Sequence, residues 1–189
     1  MRCRATTCRV TKHIVTAVCL MTFVLAGVVL AQAPPQLPKL APEHARLKYF
    51  IGKWNFEFDM KPGPFGPGGK VTGTDRNELL PGGFFLVLHS DGRGAMGEMK
   101  GLAVMGYDGE AKVYTFHAFN NLGHFEASRG TVQGDTWNWT SESMMDGKSM
   151  KSKFIIKEES PSSYSYKLHV AAEGGEWLGV MEGKATKVK

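Results

Sequence analysis

Cysteine is scarce in this chain and is confined to its beginning. The sequence has 189 residues and three cysteines, and all three lie early in the chain, at Cys3, Cys8 and Cys19. Residues 20–189 therefore cannot form a disulfide, supply a cysteine nucleophile or bind a metal through thiolates. Two catalytic motifs are also missing, the Gly-x-Ser-x-Gly nucleophile elbow and the His-Glu-x-x-His zinc motif, so no sequence motif indicates a hydrolase. The sequence carries no motif typical of a cofactor-binding site, and we expect no cofactor.

Positive charge is concentrated in the same early segment. The formal net charge is +5 at pH 7, and Arg2, Arg4, Arg9 and Lys12 supply four of these charges with no acidic residue among them. The rest of the chain carries a formal charge of only +1. The basic isoelectric point is therefore no argument for a nucleic-acid partner or for binding to an anionic membrane, and we expect no nucleic acid.

An apolar run follows the basic residues and predicts export. It extends from Ile14 to Leu30 and ends in the small-x-small sequence Ala31-Gln32-Ala33. This order is typical of a secretory signal peptide, which we predict over residues 1–31, with cleavage after Ala31 favoured over cleavage after Ala33. An uncleaved membrane anchor is the alternative, because the run is close to the minimum of about 17 residues for a span. Cleavage would leave a periplasmic or extracellular protein without a membrane span.

One short helix is expected ahead of the strands. Residues 32–41 are Pro-rich and predict an extended leader. Pro42 to Ile51 predicts a helix, because proline suits the first turn and Leu47 and Phe50 share an apolar face. Gly52 then ends the helix.

The remaining chain predicts an all-β fold. From Lys53 to Met60, apolar and polar residues alternate, which is the period of a half-buried strand. Nine more strands follow between turn sequences, and we expect them at Lys70–Leu80, Phe84–Ser90, Glu98–Tyr107, Lys112–Phe119, His124–Val132, Thr136–Ser143, Ser149–Lys157, Tyr164–Ala172 and Glu176–Val188. Ten strands joined by hairpins predict a single antiparallel up-and-down β-barrel over residues 42–189, since closure removes exposed edges. A two-layer sandwich is the alternative, whereas a closed barrel would have room for a small ligand.

Several segments resemble known families. A short helix followed by Gly52-Lys53-Trp54 is similar to the opening of lipocalins and other calycins. Segments that include Tyr114-Thr115-Phe116, Gly134-Asp135-Thr136-Trp137 and Gly175-x-Trp177 resemble the bacterial secreted family called domain of unknown function 1579, over roughly Ala41 to Lys187. This resemblance implies a lipocalin-like barrel and brings no established reaction.

A more distant likeness concerns haem proteins. Nitrobindin-like barrels also have ten strands and an early Gly-x-Trp, and a histidine near their last strand ligates the haem iron. Residues 176–189 contain no histidine, and His169 lies one expected strand earlier. Haem binding is therefore not carried over to this chain.

The candidate ligand-binding residues are mostly aromatic. Alternation puts Arg129 on the same face as Phe125 and Ala127, which we interpret as the inner face, where a guanidinium needs an acidic partner or an anionic ligand. An internal salt bridge or a position at the rim is the alternative for this arginine. The predicted ligand-binding set is Arg129, Trp54, Tyr114, Phe116, Phe125, Trp137 and Trp139, with core packing as the alternative for the tryptophans.

His117, His124 and Glu126 are candidate metal ligands. If Asn120-Asn121 forms a two-residue turn, the two histidines pair across the hairpin and Glu126 shares their face. Two imidazoles and a carboxylate suit zinc or iron. The opposite face of the hairpin is rich in aromatic residues, which favours the alternative of a solvated, outward-facing histidine pair.

Three functional hypotheses follow. The favoured one is an exported protein that binds a small, mostly apolar or amphipathic ligand inside a lipocalin-like barrel without catalysis. The second is a haem- or metal-dependent protein that uses His117, His124 and Glu126. The third is a structural or interaction module with a filled barrel.

Overall fold

The computed structural model describes residues 38–63, 65–145 and 147–189. The predicted signal peptide, residues 1–31, lies outside these ranges, as do residues 32–37 of the predicted leader. Within the described ranges, no helix is long and apolar enough to cross a membrane.

The predicted short helix is present as a 3-10 helix from Pro42 to Phe50. Its backbone begins after Ala41, which is extended, and the N–H of Ala41 donates a hydrogen bond to Nδ1 of His44 at 3.0 Å. His44, Leu47 and Phe50 are buried, so this face of the helix packs on the barrel. Gly52 follows with a φ of 113°, a backbone conformation that glycine adopts without strain, and the first strand starts there.

Ten antiparallel strands form a closed barrel. They are β1 (Gly52–Met60), β2 (Gly69–Leu79), β3 (Phe85–Gly94), β4 (Gly97–Asp108), β5 (Val113–Asn120), β6 (Phe125–Gln133), β7 (Thr136–Met145), β8 (Lys148–Ser160), β9 (Ser163–Ala172) and β10 (Leu178–Lys187). Each strand pairs with the next along the chain, and β10 pairs with β1 to close the barrel. The predicted up-and-down barrel is therefore confirmed, and the sandwich alternative is excluded.

Alternation along β1 shows how the sequence selects this fold. Trp54, Phe56 and Phe58 are buried inside, while the residues between them are less buried or exposed. Phe56 pairs with Gly73 on β2 and with Ala185 on β10, so the small inward residues of both neighbours make room for its ring. Large apolar residues on alternate positions of most other strands add to this core, and polar or small residues occupy the remaining inward positions.

The 3-10 helix lies against one end of the barrel, which we call the helix-capped end. The Tyr49 hydroxyl lies 2.8 Å from the carbonyl oxygens of both Ser160 and Ser163, in the β8–β9 turn. Arg46 donates to the carbonyl of Gly134, in the β6–β7 turn, at 3.0 Å. These contacts join the helix to two separate hairpins at that end.

Large side chains fill the helix-capped end. Trp54, Trp137 and Leu86 have an exposed fraction of 0%, and Phe50 of the helix is 2% exposed. The side chains of Phe50 and Trp137 meet with ring centroids 5.1 Å apart. Buried side chains in mutual contact therefore form a hydrophobic core at this end.

The opposite end, which we call the mouth, is formed by the loops β1–β2, β3–β4, β5–β6, β7–β8 and β9–β10. Apolar residues in or beside these loops are exposed, and they include Met96, Leu122, Met144, Trp177 and Leu178. Inward strand residues and loop residues together line a depression at the mouth, and they include Met60, Phe65, Val71, Met96, Met99 and Leu122. The mouth therefore presents an apolar rim to solvent.

Candidate ligand site inside the barrel

One row of inward residues crosses five strands, from Trp54 near the helix-capped end to Asn120 at the mouth. The pairing register joins Trp54 to Asp75, Asp75 to Ser90, Ser90 to Gly101 and Gly101 to Asn120. Since directly paired residues point to the same face of a sheet, the buried Trp54 fixes the whole row on the inner face. The row thus contains a carboxylate, a hydroxyl and a glycine side by side on the inner wall.

The inward glycines differ in what lies in front of them. Four of these lie beneath aromatic rings, which approach the place of a Cβ atom to 3.0 Å or closer: Gly73 and Gly92 beneath Phe56, Gly130 beneath Trp139, and Gly183 beneath Tyr166. A Cβ atom on Gly101 would meet only the backbone oxygen of Phe119 at 3.5 Å and the Cβ of Ser90 at 3.6 Å. In the part of the chain that the structure describes, no ring atom lies within 4 Å of this Cβ position.

Small residues surround this uncovered point. Ser90, Gly101, Ala103 and Ala118 occupy adjacent inward positions on β3, β4 and β5, and we call them the small-residue patch. Ala103 pairs with Leu88 on β3 as well as with Ala118 on β5, and Leu88 is only partly buried. The inner wall is therefore recessed here, because its side chains are short while most of the other inward positions carry large ones.

Asp75 places a carboxylate beside the small-residue patch. Its Oδ1 accepts a hydrogen bond from the Ser90 hydroxyl at 2.6 Å. Among the described residues, no lysine, arginine or histidine nitrogen lies within 4.0 Å of this carboxylate. Burial raises the pKa of Asp75 to about 6, and the hydrogen bond from Ser90 opposes this effect only in part.

The charge of Asp75 also affects the pKa values of two tyrosines of β9. Burial raises the pKa of Tyr164 well above its ordinary value, and the charge of Asp75 adds to the increase. Burial followed by the charge of Asp75 likewise raises the pKa of Tyr166. Both phenols therefore remain neutral at physiological pH, and neither supplies a positive charge to balance the carboxylate of Asp75.

Asn77 adds a buried acceptor on the same face of β2. Its side-chain amide donates to the carbonyl of Phe50 at 3.0 Å, and the residue is 2% exposed. Its Oδ1 has no hydrogen-bond partner in the described structure. The inner face of β2 thus carries two oxygen acceptors, on Asp75 and Asn77, and sequence reasoning identified neither of them. The signal was available, since a polar Asp and Asn at alternate positions of a predicted strand share one face.

Four of the predicted ligand-binding residues lie in the packed core. Trp54 and Trp137 are 0% exposed, Trp139 is 3% exposed and Tyr114 is 4% exposed. They meet through ring contacts such as that between Tyr114 and Trp137, with centroids 4.8 Å apart. Phe116 also faces inward but is only partly buried, with its ring 5.7 Å from that of Trp139. Of the predicted set, Phe116 lies nearest to the small-residue patch along the chain, two positions from Ala118.

The predicted inner position of Arg129 and Phe125 is wrong. The register pairs Phe116 with Ser128 and Tyr114 with Gly130, so the inner residues of β6 are the even-numbered ones. Arg129 and Phe125 therefore point outward and are exposed, Phe125 by 55%. The physical reason is that the ring of Trp139 occupies the space in front of the inward Gly130. A larger inward residue in place of this glycine would collide with the ring.

The predicted pairing of His117 with His124 is also wrong. His117 pairs with Ala127, and His124 lies in a longer turn where its carbonyl accepts a hydrogen bond from the N–H of Asn120 at 3.1 Å. Glu126 faces inward and accepts a hydrogen bond from the Ser128 hydroxyl, so it does not share the face of His117. Among the residues that the structure describes, no three His, Cys, Asp or Glu side chains converge to hold a metal ion.

A closed ten-stranded antiparallel barrel with one capped end and an apolar mouth defines a lipocalin-like barrel protein. The chain belongs to the family described as Protein of unknown function (DUF1579), whose model matches residues 39–187. No curated protein matches the sequence.

Two solved structures illustrate the likeness in fold. The crystal structure of Rv2717c from M. tuberculosis has a TM-score of 0.54 and 15% sequence identity, and the match covers 80% of this chain and 100% of that one. The S-type phycobiliprotein lyase CPES from Guillardia theta has a TM-score of 0.53 and 11% identity, and the match covers 80% of this chain and 99% of that one. At these identities the likeness concerns the fold alone.

Proposed function

We propose that this protein binds a small, mostly apolar ligand inside its barrel and performs no reaction on it. The observation that carries the proposal is the inner wall at Gly101, where no aromatic ring atom of the described residues lies within 4 Å of the place that a Cβ atom would occupy. Aromatic and aliphatic side chains, including the partly buried Phe116 and Leu88, border this patch. A recessed, mostly apolar wall with few polar groups is the usual form of a small-molecule site.

The apolar mouth supports the same proposal. Met60, Val71 and Met99 line the depression at the mouth together with loop residues. Methionine side chains are flexible and polarizable, so they adapt to apolar ligands of different shape. A ligand that enters here would therefore contact apolar side chains first.

A fluorescence titration tests the proposal. The full chain is produced in a bacterial host and titrated with N-phenyl-1-naphthylamine, a neutral apolar fluorophore, and native mass spectrometry of the same sample detects any ligand that co-purifies. We expect saturable binding by the wild type and at least a tenfold loss in Gly101→Leu, because the leucine would occupy the uncovered space. Its Cβ atom makes only ordinary contacts, so this variant is expected to fold.

Ala127→Leu is the matched control, since it adds the same side chain to an exposed outward position of β6. It should bind the fluorophore as the wild type does. Wild-type protein that binds no fluorophore and carries no ligand would contradict the proposal, as would equal binding by the wild type and Gly101→Leu.

Export is the second part of the proposal. The basic residues at the start, the apolar run from Ile14 to Leu30 and the Ala31-Gln32-Ala33 sequence support a periplasmic or extracellular protein. Fractionation of the host followed by N-terminal sequencing tests it. Protein in the periplasm or medium that begins at Gln32 or Pro34 is expected, whereas cytoplasmic protein with an intact N-terminal segment would contradict export.

A further inference from the structure

We propose that the ligand of this barrel carries a protonated amine, which binds the inward carboxylate of Asp75 while the apolar part of the ligand lies towards the mouth. This inference rests on the proposed function, because it names the chemical class that the same interior site selects. Three features of the described residues support the inference. They are the oxygen acceptors of Asp75 and Asn77 on β2, the absence of a cationic side chain within 4.0 Å of Asp75, and the space in front of Gly101.

The first step concerns the charge of the site. A carboxylate inside a barrel loses hydration, and it is stable there when a cation or several hydrogen-bond donors compensate it. Asp75 receives one hydrogen bond, from Ser90, and no cationic side chain of the described residues lies within 4.0 Å. An ammonium group supplies both a positive charge and three donors, and its hydrogen bonds to a carboxylate are about twice as strong as neutral ones.

The second step concerns Asn77, two residues further along the inner face of β2. Its Oδ1 is buried without a donor among the described residues, and an unpaired buried acceptor destabilises the folded protein. Asn77 Oδ1 therefore lacks a donor and Asp75 has a single side-chain donor, Ser90, and the two residues share one face because strand side chains alternate. This favours a ligand that is rich in donors over an anionic or purely hydrocarbon one.

The third step concerns the space that an amine would occupy. Ser90, the partner of Asp75, pairs with Gly101, so Gly101 lies two strands, or about 10 Å, from Asp75 with only the small side chain of Ser90 between them. Val71 lines the mouth and lies four residues from Asp75 on the same face of β2, which corresponds to about 13 Å along a strand. A ligand with an amine at one end and an apolar chain of that length would contact both.

The test compares three ligands that differ only in their head group. Decylamine, decanol and decanoic acid are used below their micelle concentrations to displace N-phenyl-1-naphthylamine from the full chain at pH 7.5. We expect decylamine to bind at least tenfold more tightly than decanol, and decanoic acid to bind most weakly. In Asp75→Asn, the ratio between amine and alcohol should fall to about one, while the affinity for decanol stays within a factor of about two.

Glu126→Gln is the matched control, because Glu126 is also an inward carboxylate that accepts a hydrogen bond from a serine. The preference for the amine should survive in this variant. A preference that survives in Asp75→Asn but is lost in Glu126→Gln would overturn the assignment to Asp75.

The outcomes also separate this inference from the proposed function. If decanol and decylamine bind equally well to the wild type, the barrel binds apolar ligands and only the amine inference is overturned. If neither ligand binds and the fluorophore does not bind either, both proposals are overturned. Thermal unfolding of each variant verifies that the compared proteins are folded.

Discussion

The indole nitrogen of Trp137 donates a hydrogen bond to the carboxylate of Glu158, with 2.7 Å between Nε1 and Oε1. Arg46 of the 3-10 helix donates to the same oxygen at 2.8 Å. Glu158 therefore links a buried ring of the barrel to the helix that covers its end. This relationship explains how a short N-terminal segment is held on the helix-capped end.

Replacement of Glu158 should weaken that link. Glu158→Ala would leave the buried N–H of Trp137 unpaired and remove the carboxylate partner of Arg46, so we expect the free energy of unfolding to fall by about 2 kcal/mol. Urea unfolding followed by tryptophan fluorescence measures the change. Glu159→Ala is the control, because Glu159 is exposed, and its loss should stay below about 0.5 kcal/mol. Equal losses in the two variants would contradict the structural role of Glu158.

A second prediction concerns the close contact between Gly130 and Trp139. A Cβ atom at Gly130 would approach the Trp139 ring to 2.5 Å, so Gly130→Ala must displace a buried ring. We expect a loss of about 2 kcal/mol in the free energy of unfolding, which is typical of an overpacked core. Gly109→Ala is the control, since a Cβ there meets no atom within 4 Å. Its unfolding curve should match that of the wild type, and a similar curve for Gly130→Ala would show that the interior tolerates the added methyl group.

A third prediction tests the outward position of Arg129. Because this side chain is exposed, Arg129→Ala should leave the affinity for the apolar fluorophore unchanged and alter the free energy of unfolding by less than about 0.5 kcal/mol. Phe116→Ala removes a partly buried inward ring and should weaken both stability and binding. Fluorophore titration and urea unfolding of the two variants provide the comparison. A loss of binding in Arg129→Ala would indicate that the guanidinium does reach the ligand.

The barrel itself was predictable because most strands carry their large apolar residues on one face. β1 is the clearest example, since Trp54, Phe56 and Phe58 are inward and buried as their alternation predicts. The predicted helix is present, and it ends one residue earlier than expected, at Phe50. In these segments local pattern and tertiary packing agree.

The face of β6 could not be predicted from its own alternation. Its outward face carries Phe125 and Arg129, while its inward face carries Glu126, Ser128 and Gly130. The small inward residues are there because rings from the neighbouring strands, such as Trp139, fill the space in front of them. Which face of such a strand points inward depends on how the strand pairs with its neighbours. This pairing register cannot be derived from the sequence of the strand alone.

The predicted end of β3, at Ser90, is wrong for a related reason. Asp91-Gly92 resembles a turn sequence, yet β3 continues through it to Gly94. Gly92 pairs with Gly73, and the ring of Phe56 lies over both glycines. The glycine is required there by packing, and this requirement depends on a residue on β1 that is distant in the sequence.

A fourth prediction uses the pH dependence of stability at Asp75. Burial raises its pKa from an ordinary value of 3.8 to about 6 in the folded protein, so the folded state binds this proton more tightly than the unfolded state does. The resulting stability is fully present below pH 4 and is lost as the pH rises through 6. Asp75→Asn removes the buried charge, and it should therefore raise the free energy of unfolding above pH 7 by about 2 kcal/mol relative to the wild type, with little difference at pH 4.

Urea unfolding of the wild type and Asp75→Asn at pH 4 and pH 7.5 measures this difference. Asp91→Asn is the control, because Asp91 is exposed on the outer face, 3.5 Å from the Nζ of Lys100, and no pH-dependent gain is expected for it. Equal effects of Asp75→Asn at both pH values would mean that the carboxylate is well solvated in the folded state. A gain confined to high pH would mean that the ionised carboxylate of Asp75 destabilises the folded protein.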